Sequence, residues 1–197
     1  VILDRSSDSI GQFLKQHAIR SLNGVEKVAV MKLLELQRYA MHMYASDAWF
    51  FDEICGVETV QVIQYAGRVI QLAEEIGDGI ESGFLEIMRQ AKSNLAEPCD
   101  GRRLYERLVK PARVDLTTVA AHCAVSSLFE EYNRQVGIYC YRVDVEDCQR
   151  KEAGVARLAI GRVKITSETT LESSLFSFGA LYLGASSLNA GVSEFRG

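Results

Sequence analysis

Two adjacent carboxylates, Asp52 and Glu53, directly follow three aromatic side chains, Trp49, Phe50 and Phe51, and Trp49 is the only tryptophan of the chain. Paired carboxylates are what glycosidic bond cleavage requires: about 5 Å apart in retaining enzymes, roughly 6.5–9.5 Å apart in inverting ones. Neighbours on a helix diverge by about 100°, so Asp52 and Glu53 cannot both face one substrate from a helix. The pair is expected not to be catalytic, and Asp47 or Glu58 could join one of them only through a fold that spacing alone does not supply. Flat rings beside acceptors suit a different task, holding a sugar whose C–H faces stack and whose hydroxyls need partners. The competing reading is a bulky helix end that plugs a core, since tryptophan is usually well buried.

Other polar residues sort in the same way. Gln37 falls within an apolar stripe, where a buried amide would need partners. It is expected to anchor the segment around Trp49 or to reach a substrate. Arg38 and His42 stand at the edge of that stripe, where they could pair with Asp52 or Glu53. His122 reads as a core histidine, and Ser126 has no evident base. The run Arg102, Arg103, Arg107, Lys110 and Arg113 reads as a solvated helix with Glu106 interleaved, or as a grip for phosphate or an acidic face. Five cysteines form no C-x-x-C pair, and the three histidines have no metal-ligand spacing with them, so no metal site is expected. Neither "GVARLAIG" nor "GASSLNAG" has the lysine or the context of a phosphate loop, and no cofactor is implied.

These residues have to be held by elements that the hydropathy pattern outlines. From Val30 a helix places Leu33, Leu34, Met41, Tyr44, Ala45 and Ala48 on one stripe. After Gly56 a second puts Val62, Ala66, Val69, Ala73 and Ile76 inward and ends in the glycines of "IGDGIESG". Ile80, Phe84, Met88, Ala91 and Leu95 mark a third. A short fourth lies in "GRRLYERLVK" and stops before Pro111. Asp115 caps a fifth, with Val119, Cys123, Val125 and Phe129 in the core. Near Asn133 the period turns alternating. "VGIYCYRVDVED", "VARLAIGRVKIT" and "SLFSFGALYLG" read as strands, the last with Phe176, Phe178, Ala180 and Tyr182 on one face, and "GASSLNAG" leads to a short final strand around Val192–Phe195. The expected fold is α+β, a helical bundle-like region over residues 1–133 followed by an antiparallel β meander over residues 134–197, together one compact unit.

The stretches "LLELQRYAMHMYASDAWFFDEICGVETVQVIQYAGRVIQLAEE", "AKSNL", "GRRLYERLVKPARVDLTTVAAHCAVSSLFEEY" and "ARLAIGRVKITSETTLESSLFSFGALYLG" together resemble the domain of unknown function numbered 3536. That domain follows the catalytic barrel in proteins similar to glycoside hydrolase family 57. The resemblance runs from about Phe13 to Phe195. It implies a piece of a longer polypeptide, packed beside an N-terminal (β/α) barrel that carries the catalytic carboxylates, and an α-glucan or oligosaccharide as ligand. It also implies that "WFFDE" corresponds to the segment that offers an aromatic to the glucan cleft, with Trp49 as that residue. Two departures stand out: Asp47-Ala48 replaces a Cys-Gly pair before the tryptophan, and Ala185-Ser186-Ser187 replaces the Asp-His-Asn of the last hairpin.

Composition agrees with a packed domain of this kind. The chain has 197 residues, 48 % of them hydrophobic, and a formal charge of −4 with both signs spread along it. Such a balance offers no field for nucleic acid, and no apolar run is long enough to span a membrane. Reduced cysteines point to the cytoplasm, and a start at Val1-Ile2-Leu3 without methionine is expected of a processed protein or, in preference, a fragment of a longer one. The expected function is therefore a non-catalytic accessory domain, with Trp49, Asp52, Glu53 and Gln37 as candidate substrate contacts. The alternative is a purely structural or oligomerisation module.

Overall fold

Asn23 opens a 19-residue helix with a capping box: its side chain accepts from the backbone of Glu26, and the Glu26 carboxylate accepts from the backbone of Asn23, each at 2.9 Å. The computed structural model describes residues 1–95, 99–185 and 187–195. Packing divides the chain into two compact units, Val1–Arg113 and Val114–Gly197. The change from helix to strand lies between Ser126 and Gln135. Among the described residues no helix is long and apolar enough to cross a membrane.

The first unit contains α1 (Ser7–His17), α2 (Gly24–His42), α3 (Val57–Glu75), α4 (Glu81–Met88) and α5 (Gly101–Leu104). The last runs directly into a π turn at Tyr105–Val109 and a 3-10 turn at Lys110–Ala112. Pro111 therefore sits within a tight turn that continues the helix instead of following its end. Packed between α3 and α5 is a core of Ile63, Ile70, Leu104, Tyr105 and Val109, with Phe84, Leu85 and Met88 against it. Gly67 permits the close approach: a Cβ there would lie 2.5 Å from Val109 Cγ1.

Three expectations are corrected in this unit. α1 carries no long apolar stripe and was not anticipated, although Ser6 caps it by accepting from Ser9 N at 3.3 Å. The stripe expected on α2 is not its buried face: Met31, Lys32 and Glu35 are buried, while Leu33, Met41, Tyr44 and Gln37 are exposed. The reason is electrostatic. Glu35 is held by Arg5 and, at 2.9 Å, by Arg38, and Lys32 meets Glu75 at 2.9 Å, so charges occupy positions where periodicity looks for leucine. The third expected helix ends at Met88, short of Ala91 and Leu95, because the chain turns there into a bridge between Lys92 and Asp100.

The second unit begins with α6 (Leu116–Ser126), capped as expected by Asp115, which accepts from Thr118 N at 2.7 Å. Five strands follow, β1 (Gln135–Ile138), β2 (Tyr141–Ala153), β3 (Ala156–Ser167), β4 (Ser173–Tyr182) and β5 (Leu188–Glu194), paired antiparallel in sequence order. The expected α+β class and meander are thus observed. Val119, Ala120, Cys123 and Ala124 of α6 pack on Val143, Val163, Ile165, Phe176, Phe178 and Ala180 of the sheet. Val125 and Phe129 do not share that burial, and Phe129 is exposed.

Two strand boundaries differ from expectation. "VGIYCYRVDVED" is a hairpin, not a single strand: Ile138 pairs with Tyr141 across a turn in which Tyr139 has φ +53°. A tyrosine does not advertise a left-handed turn as glycine or asparagine would. The last strand starts at Leu188, so part of "GASSLNAG" is strand. The departure noted at Ala185-Ser186-Ser187 falls in part on Ser186, outside the described residues. Where β2 bulges between Val145 and Asp147, β3 supplies Gly161, whose Cβ would lie 2.3 Å from the Asp147 carbonyl oxygen.

Candidate functional site

After α2 the chain closes with backbone bonds from Tyr44 and Ala45 to Met41 and His42, each at 3.1 Å, then forms a 3-10 turn over Ser46–Trp49. The three aromatics therefore lie on a loop between α2 and α3, not on a helix end. Trp49 is 74 % exposed, Phe50 81 % and Phe51 54 %. The rings of Phe50 and Phe51 meet edge to face with centroids 5.0 Å apart. The core-plug reading of this cluster does not hold. So much apolar surface facing water carries a hydration cost that a partner surface would relieve.

What keeps the loop in shape is Glu53. Its carboxylate accepts from the backbone of Cys55 at 2.9 Å, the hydroxyl of Ser93 at 2.8 Å and the backbone of Asn94 at 2.7 Å. The Glu53 carbonyl in turn accepts from Thr59 Oγ1 at 3.2 Å and from Gly56 N at 3.4 Å. Asn94 returns the contact by donating its side-chain amide to the Asp52 carbonyl. With the Cys55 backbone bond as the largest cause, and Ser93 and Asn94 adding to it, the Glu53 carboxyl is held down at about 2. It stays ionised, and its oxygens are committed within the protein. Glu53 is thus a positioning residue. The carboxylate of Asp52 is exposed beside the rings.

Gln37 is exposed on α2, so the anchoring expected of a buried amide there is supplied by Glu53 instead. Arg38 and His42 do not pair with Asp52 or Glu53. Arg38 donates to Glu35 at 2.9 and 3.1 Å, approaches His42 Nε2 at 3.5 Å, and lies over the Tyr39 ring at 4.5 Å. His42 and Tyr39 also face Tyr65 of α3, at 5.3 and 6.0 Å between centroids. This Tyr39–His42–Tyr65 cluster directly precedes the loop, and reading residues singly missed it. The available signal was the spacing of Tyr39 and His42, one turn apart on one helix.

The basic run is largely spent in ion pairs. Arg102 meets Glu106 at 3.0 Å, Lys110 meets Glu81 at 2.8 Å, and Arg113 meets Glu74 and Glu81 at 3.1 and 2.9 Å. Tyr105 donates its hydroxyl to Glu81 at 2.9 Å, and burial, aided by that carboxylate, pushes its phenol up to about 12. Arg103, Glu106 and Arg107 line a cavity of about 500 Å³ together with Cys55, Cys99 and Leu104. None of Gln37, Trp49, Asp52 and Glu53 lines it.

In the second unit His122 is exposed rather than in the core, and its Nδ1 lies 3.1 Å from Ser126 Oγ. The serine thus has an imidazole neighbour that was not anticipated. The amides that follow it are already used, Ser127 N to Cys123 O at 2.9 Å and Leu128 N to Val125 O at 3.2 Å, so the pair has no adjacent oxyanion donors.

A family model described as Domain of unknown function (DUF3536) matches residues 1–197. No curated protein matches the chain. No solved structure matches it either.

Proposed function

The chain belongs to the DUF3536 family, and from that premise we propose that it is a non-catalytic accessory domain of a carbohydrate-active protein similar to glycoside hydrolase family 57. In this reading it packs beside a (β/α) barrel of the same polypeptide and completes an α-glucan cleft. Trp49 is the stacking platform, the Asp52 carboxylate accepts sugar hydroxyls, and Glu53 holds both in place. The observation that supports it is the aromatic loop, three rings turned to solvent on a backbone fixed by an ionised glutamate. A loop already held with its rings exposed incurs less ordering cost when a ligand or partner binds. Catalytic carboxylates are assigned to the barrel, none to this chain.

Affinity electrophoresis tests the reading. A gel containing soluble α-glucan should retard the wild type, and Trp49→Ala should run as in a glucan-free gel. Equal retardation of both proteins removes Trp49 from the site. Exposure of Met41, Tyr44 and Val57, at 75–80 %, favours a second reading in which the loop is a contact surface for protein. Wild type that ignores glucan but self-associates through this loop would select it.

A further inference from the structure

Cys55 and Cys99 come from opposite sides of the junction that Glu53 makes. Cys55 donates its backbone N–H to the Glu53 carboxylate, and the Cys99 carbonyl accepts from Ser93 N at 2.9 Å, while Ser93 Oγ donates to that same carboxylate. Both cysteines are half-buried, both pack on the core of Ile63, Ile70, Leu104 and Tyr105, and both line the 500 Å³ cavity. We propose that Cys55 and Cys99 are a redox-responsive dithiol that closes to an intramolecular disulfide under a disulfide oxidant, clasping the base of the aromatic loop to the segment that anchors it. The remaining cysteines are placed differently. Cys123 is 1 % exposed and burial pushes its thiol up to about 11, Cys140 is exposed in the β1–β2 turn, and Cys148 is half-buried on β2 of the second unit.

The chemistry uses groups in the cavity. Burial and the neighbouring Cys99 thiol push the Cys55 thiol up, so attack accelerates as pH rises. Arg103 and Arg107 line the same cavity and attract an anionic oxidant to it, while the charge of Glu106 is balanced by Arg102 at 3.0 Å. With oxidised glutathione, one protein thiolate attacks a glutathione sulfur and releases one glutathione as thiolate. The second protein thiolate then attacks the protein sulfur of the mixed disulfide and releases the other. Two thiol protons leave, and the two electrons given up by the protein reduce the oxidant to two glutathione molecules.

The experiment uses the 197-residue chain with Cys140→Ser, which removes the exposed thiol. After exposure to oxidised glutathione, the free-thiol count should fall by two, and a non-reducing peptide map should join Cys55 to Cys99. Trp49 fluorescence anisotropy should rise and return on reduction. Cys55→Ser should leave Cys99 as a glutathione adduct with unchanged anisotropy. Separate adducts on both cysteines, a bridge to another cysteine, or a Cys55–Cys99 bridge that leaves anisotropy unchanged would each overturn the proposal. Because no readout involves sugar, these outcomes are independent of glucan binding.

Discussion

Glu53 reaches across 41 residues of chain to accept a hydrogen bond from the backbone of Asn94 at 2.7 Å. With the bonds from Ser93 and Cys55, that contact turns a carboxylate beside three aromatics into the fixture that keeps them at the surface. The division of labour between neighbours is set by geometry: Asp52 lends its carbonyl to Asn94 and keeps its carboxylate exposed, and Glu53 spends its carboxylate inside.

Removing the Glu53 charge should loosen the loop without unfolding the unit. In Glu53→Gln, one oxygen becomes a donor facing donors, so at least one of the three bonds is lost. Trp49 anisotropy should fall at neutral pH while far-UV circular dichroism is retained. Unchanged anisotropy would show that the loop is held by other means.

The same residue gives a pH dependence with a defined sign. Its folded carboxyl lies at about 2, below the ordinary 4.5, so its contribution is fully present above pH 4.5. That contribution is lost as pH falls towards 2, where the folded form is protonated too. Denaturant midpoints of wild type and Glu53→Gln should therefore differ at neutral pH and converge at the acid end. A gap that stays constant throughout would assign the difference to packing.

Glu35 is 2 % exposed and carries arginines on two sides. Glu35→Ala leaves both guanidiniums without their carboxylate, a change that costs about 3–5 kcal/mol for buried pairs. Because Arg5 and Arg38 are 21 % and 32 % exposed, the loss should fall at the lower end of that range. Urea unfolding of the two proteins measures it, and a loss within experimental error would make the pair ornamental.

In the sheet, Gly161→Ala places a methyl 2.3 Å from the Asp147 carbonyl and 2.9 Å from the Phe178 ring. Backbone on one side and a packed ring on the other leave little room to relax, so a loss of about 1–3 kcal/mol is expected. Gly179 in the neighbouring strand has nothing within 4 Å of such a methyl. Gly179→Ala, read in the same thermal melts, should be far milder, and equal losses would refute the bulge argument.

Alternation and capping made the second unit legible. Phe176, Phe178 and Ala180 fall on the buried face, as the period of two requires, and Asp115 caps α6 where a polar acceptor precedes an apolar run. The first unit was harder to read for a physical reason. α2 buries Lys32 and Glu35, whose stability depends on partners far away in the chain, so hydropathy rotates its face incorrectly. That rotation placed Gln37 inside. Trp49 beside acids was visible as a pattern, but its exposure depends on Ser93 and Asn94, which no local spacing connects to Glu53. The turn at Tyr139 was hidden because its residue type does not announce a positive φ.

Trp49 is both the proposed platform and the only intrinsic tryptophan reporter, so its emission addresses the central claim directly. Its cost of removal is a first check: Trp49→Ala should lose well under the roughly 3–5 kcal/mol of an emptied core site. The decisive measurement is a titration of the wild type with maltooligosaccharides, recording emission wavelength and acrylamide quenching. Before sugar, the 74 % exposed ring should emit to the red and be readily quenched. As sugar stacks, emission should move to the blue and quenching should fall, with a dissociation constant near the millimolar range, about 4 kcal/mol of binding, for half a cleft. A ring that remains quenchable and spectrally unchanged at saturating maltooligosaccharide would contradict the account.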